Sequence, residues 1–96
     1  MANEDASRPC FLTEWYQPVA SDVDGLVAAL DTVCAQMRAD GRTVRLLGAI
    51  AAAADEVLYG LFAADSATAV TLACRLAGWP VDRVIEGVQA RLLTPK

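Results

Sequence analysis

Histidine is absent from all 96 residues of this chain. That removes the commonest metal ligand, the usual general base and any Ser-His or Cys-His nucleophile. Basic charge is also scarce, with eight Lys and Arg against twelve Asp and Glu for a formal net charge of −4. The basic residues are scattered, and only Arg38, Arg42 and Arg45 lie close together. A nucleic-acid module carries a basic stripe with stacking aromatics, and neither is visible. No apolar run approaches the ~18 residues needed to span a bilayer. Residues Met1–Arg8 are polar and acidic, unlike a signal peptide, so a cytoplasmic location is expected. The three cysteines, Cys10, Cys34 and Cys74, are odd in number and include no Cys-x-x-Cys, which argues against a disulfide framework. Neither Gly-x-Gly-x-x-Gly nor Gly-x-x-x-x-Gly-Lys occurs, so no phosphate cradle is indicated.

What the chain does have is apolar residues, at 55% of its composition. They are densest from Thr43 to Ala63, where two runs, Val44–Ala51 and Glu56–Ala63, flank a link at Ala52–Asp55. Val, Ile, Leu, Tyr and Phe dominate the runs, which predicts a β-hairpin. The link lacks Asn-Gly, so a looser connection than a two-residue turn is expected. Strict alternation puts Val44, Leu46, Gly48 and Ile50 on one face, and Arg45, Leu47, Ala49 and Ala51 on the other. The second run is apolar on both faces, as a central strand should be.

Pro9–Tyr16 reads as the first strand, with Phe11, Thr13 and Trp15 on one face and Leu12, Glu14 and Tyr16 on the other. Gln17-Pro18 ends it, because proline donates nothing to a ladder. Ser21 is the expected cap of a first helix, with acidic residues in its first turn. Val23, Leu26, Val27, Leu30, Val33, Cys34 and Met37 form its apolar stripe, and Gly41 its stop. A second helix starts from Asp65 or Ser66, buries Val70, Ala73, Cys74 and Ala77, and stops at Gly78 ahead of Pro80. Arg83–Ala90 is the last strand.

The order is β-α-β-β-α-β. Its simplest packing is the ferredoxin-like α+β arrangement, a four-stranded antiparallel sheet in the order 4-1-3-2 with both helices on one face. One domain over 9–91 is expected, between a flexible tail at 1–8 and a second tail at 92–96. Cys34 and Cys74 fall on the buried stripes toward opposite ends of antiparallel helices, too far apart to bridge.

Several segments carry a family likeness: F-L-T-E-W-Y-Q-P, V-R-L-L-G-A-I, the acidic D-E before V-L-Y-G-L-F, and the ending A-G-W-P-V-D-R-V-I-E-G-V. Over about residues 9–90 they resemble the domain-of-unknown-function 4242 family, a small actinobacterial group also called nickel-binding-protein-like. The resemblance implies a ferredoxin-like fold that pairs into a dimeric α+β barrel. Metal-binding members of that family use histidine, so the metal function does not carry over, and no cofactor is expected.

The candidate chemistry lies in the strands. Glu14 and Glu86 are carboxylates within otherwise apolar strands that neighbour each other in the proposed order. If their faces coincide, the two share the face away from the helices, where a close pair raises one pKa. Tyr16 and Tyr59 supply aromatic surface with a polar tip, and Arg45 is a cation on the same expected face. Glu14, Tyr16, Arg45, Tyr59 and Glu86 are thus the candidate ligand-binding residues, and no catalytic or metal residue is assigned. Two functions follow. One is a homodimeric module without catalysis, joined through the helix-free sheet face, with a cavity for a small apolar ligand. The alternative is a cofactor-free enzyme of the dimeric barrel type, monooxygenase- or isomerase-like, moving protons with Glu and Tyr. The missing general base favours the first.

Overall fold

The computed structural model describes residues 9–16 and 22–93. The expected tails at 1–8 and 94–96, the Gln17-Pro18 strand end and the Ser21 cap lie outside these residues. Strand β1 spans Cys10–Tyr16, helix α1 Val23–Ala39, β2 Val44–Ala52, β3 Val57–Ala64, helix α2 Ala67–Leu76 and β4 Arg83–Val88. The strands form one antiparallel sheet in the order β2-β3-β1-β4, as expected from the sequence.

Each helix begins and ends on a local signal. The Asp22 carboxylate caps α1, accepting from the Gly25 N–H at 3.1 Å. Ser66 Oγ caps α2, accepting from the Ala69 N–H at 3.2 Å. Both helices close in the same way. Gly41 and Gly78 adopt φ of +90° and +81°, which side chains resist and glycine tolerates. The next N–H then reaches back five residues, from Arg42 to the Met37 carbonyl and from Trp79 to the Cys74 carbonyl, both at 2.9 Å.

The core lies between helices and sheet. Leu26, Leu30, Cys34 and Met37 from α1, and Val70, Ala73 and Cys74 from α2, cover Phe11, Trp15, Val44, Leu58, Phe62 and Ala64. Thr13, also on this side, is fully buried and donates its hydroxyl to the Gly60 carbonyl at 3.1 Å. The loose connection between β2 and β3 is a single 3-10 turn at Ala53–Asp55, followed by Glu56 in the left-handed region at φ 56°.

Two bulges correct the face assignments made by alternation. In β2, Leu46 pairs with Phe62 but Gly48 pairs with Leu61, so Leu47 and Gly48 together stand opposite one residue. Beyond this point every side chain changes face. Ile50 moves to the open side, beside Tyr59 and 65% exposed, while Ala49 turns inward to pack on the core. In β4, Ile85 pairs with Leu12 and Val88 with Cys10, which leaves Glu86 and Gly87 opposite Phe11. Gly87 has φ +70°, the glycine conformation that such a bulge uses. β4 ends at Val88 rather than the expected Ala90. Its partner strand begins there, next to Pro9, which has no N–H to continue the ladder.

Candidate functional site

The sheet face away from the helices is built of four rows running across the strands from β2 to β4. The register sets them as Arg45–Ala63–Cys10–Val88, Gly48–Leu61–Leu12–Ile85, Ile50–Tyr59–Glu14–Arg83 and Ala52–Val57–Tyr16. Leu47 belongs with the second row through its bulge. Successive rows are ~6.7 Å apart, and neighbours within a row ~4.8 Å. Most of the face is apolar. Its main polar break is the third row, where Glu14 lies between Tyr59 on one strand and Arg83 on the other.

Tyr16 completes this cluster. Two residues along β1 from Glu14, it shares the same face, and its hydroxyl donates to Glu14 Oε1 at 2.6 Å. The phenol pKa is raised above its usual value, first because the hydroxyl donates to Glu14, then by desolvation and the Glu14 charge; Arg83 pulls it the other way. The corner is clipped from beneath. The Tyr16 N–H donates to Asp82 Oδ2 at 2.8 Å, and the Asp82 N–H donates to the Glu14 carbonyl at 3.0 Å. Glu14, Tyr16 and Arg83 are therefore held on one small patch by backbone pairing and by each other.

The sequence-derived candidates divide. Glu14, Tyr16 and Tyr59 are brought together on the open face. Arg45 shares that face, but two rows and two strands away, roughly 13 Å along the strand direction alone. Glu86 is not beside Glu14. The β1–β4 register, with Arg83 and Ile85 on the open face, sets it opposite Phe11 on the other side, exposed, and Arg83 takes the expected place. A Glu14–Glu86 carboxylate pair is therefore excluded by the register. Arg83 was missed as a site residue because its face depends on the register between β1 and β4, strands distant in sequence.

Cys34 and Cys74 are buried thiols and are not bridged, as their helix positions implied. Burial pushes the Cys74 thiol up to about 12, and the neighbouring Cys34 adds to the shift. The Cys34 thiol is also raised, mainly by burial, with Arg38 opposing. Among the described residues no three acidic or cysteine side chains gather as a metal site, and no helix is long and apolar enough to cross a membrane.

No family model and no curated protein matches this chain. Among solved structures, the crystal structure of SCO4226 from Streptomyces coelicolor A3(2) superposes with a TM-score of 0.58 at 21% identity. The match covers 88% of this chain and 99% of that one. At that identity the likeness extends to the fold alone.

Proposed function

We propose that this protein is a homodimeric ligand-binding module of the domain-of-unknown-function 4242 type, in which two open sheet faces meet around a cavity lined by Glu14, Tyr16, Tyr59 and Arg83. The observation that carries the reading is the mosaic of the open face: mostly apolar rows, with Arg45 at the β2 edge of the first, interrupted by the charged third row. The apolar part favours burial against a partner. Glu14 and Arg83 resist it, because a charge taken out of water is costly unless fully paired. Two such faces close well over Leu12, Leu61 and Ile85 and poorly over the third row, which leaves a polar-lined space.

The ligand suited to that space is a small organic molecule with an apolar body and one hydroxyl or carbonyl group. Glu14 accepts a hydrogen bond from it, or Arg83 donates one, and the body lies on Tyr59, Leu61 and Ile85. Catalysis is the weaker reading. Proton abstraction by a tyrosine needs a lowered pKa, and that of Tyr16 is raised. Native mass spectrometry of untagged protein tests the binding. A constant added mass on the dimer, lost in Tyr16→Phe and Arg83→Ala, supports it; turnover of an added compound that depends on Glu14 would replace it with the enzyme reading.

A further inference from the structure

We infer that the segment after β4, Gln89–Leu93, is an exchanged arm, and that Leu92 and Leu93 of each protomer pack on the other protomer of the dimer. The inference rests on the dimer proposed above and adds what closes it. Leu92 is 61% exposed and Leu93 93% exposed, so neither is covered by its own fold. The reason lies in the register. β4 runs toward its pair Cys10–Val88, and β1 starts there, beside the proline at position 9. The chain therefore leaves the described part of the sheet at the row that holds Cys10 and Val88.

The open face also needs more than it has. Four strands ~4.8 Å apart and about seven residues long at ~3.3 Å each make a flat area of roughly 440 Å². A stable dimer buries ~800 Å² per partner. Side-chain relief narrows the gap, but the third row remains polar. Two exposed leucines, four and five residues beyond Val88 in the first row of that face, supply apolar area where it is lacking. They can reach it: five residues beyond Val88 span up to about 17 Å, whereas sheets packed face to face lie ~10 Å apart. Leu76 is also exposed, at 59%, but it sits on α2, on the opposite side of the sheet.

The test uses the full chain with Leu92→Ser and Leu93→Ser together, and Leu76→Ser as a control. Sedimentation equilibrium should show the double variant folded, with dimer dissociation raised about tenfold or more, since burying even one leucine is worth roughly that in affinity. Leu76→Ser should match the native protein. In a mixture of isotope-labelled and unlabelled protomers, the Leu92 and Leu93 methyls should show contacts between protomers. Unchanged dissociation of the double variant, or contacts confined to one protomer, overturns the arm and leaves the dimer standing. A native protein that is monomeric throughout removes both.

Discussion

Trp15 Nε1 donates a hydrogen bond to the backbone carbonyl of Trp79 at 2.8 Å. The indole is fully buried at the centre of the core, and the carbonyl follows the glycine stop of α2. One side chain thus ties the end of the second helix to the middle of the sheet. It also steadies the segment that leads into Asp82 and Arg83, and so the polar corner of the open face. Trp15→Phe strands that carbonyl and leaves a void the size of the lost ring. It should cost about 2–4 kcal/mol in chemical denaturation, with no change in the state of association, since Trp15 faces away from the open side.

Gly60 has no room for a side chain. A Cβ there would lie 2.7 Å from Thr13 Oγ1 and 3.0 Å from the Trp15 ring. Gly60→Ala should therefore destabilise the fold by ~1–3 kcal/mol through overpacking. Gly48 provides the contrast, because a Cβ there meets nothing within 4 Å. Gly48→Ala should stay within ~0.5 kcal/mol of the native protein. Equal losses in the two variants would mean that the β1–β3 register is wrong.

The element order, the central place of β3 and the apolar stripes of both helices were legible because each rests on a periodic pattern that nothing interrupts. Leu30 is an example: it lies mid-stripe and is fully buried. Faces were legible only up to the bulges. Strict alternation placed Ile50 in the core, and the extra residue in β2 inverted the pattern beyond it. Glu86 was expected beside Glu14 only if the faces of β1 and β4 coincided, and the pairing of Glu14 with Arg83 sets them one residue out of step. Gly48 and Gly87 mark the two bulges, yet a glycine in a strand signals a bulge without saying which way the count shifts. The cap of α1 slipped by one residue for a simpler reason: Ser21 and Asp22 are both good caps, and the carboxylate of Asp22 takes the bond. The cluster of Glu14, Tyr16 and Arg83 depends on pairing between strands distant in sequence, so only its β1 members could be read directly.

Alkaline pH should weaken the fold. The Cys74 thiol is raised from an ordinary value of 9.0 to about 12 in the folded chain. Unfolded chains therefore lose that proton first, and stability falls as pH rises from about 9 toward 12. Below pH 9 the contribution is fully present. Cys34 and Tyr16, also raised, act in the same direction. Thermal melts from pH 7 to 11 should show a melting temperature that drops above pH 9, and Cys74→Ala should flatten that drop while lowering stability modestly at pH 7. An equally steep alkaline limb in Cys74→Ala would show that burial of this thiol is not its source. In the Leu47→Asp monomer at pH 8, Cys10, half-buried, should react with iodoacetamide well before Cys34 and Cys74, both buried.

The dimer is the central claim, and sedimentation equilibrium of the native chain beside Leu47→Asp tests it most directly. Leu47 stands with Gly48 opposite Leu61 on the open face, apart from the helix-covered core. A charge there opposes the contact between two faces without disturbing that core. The native chain should sediment as a dimer at low micromolar concentration, and Leu47→Asp as a folded monomer with the circular dichroism of the native protein. A native chain that remains a monomer at tens of micromolar, or a Leu47→Asp variant that dimerises as well as the native protein, would contradict the account.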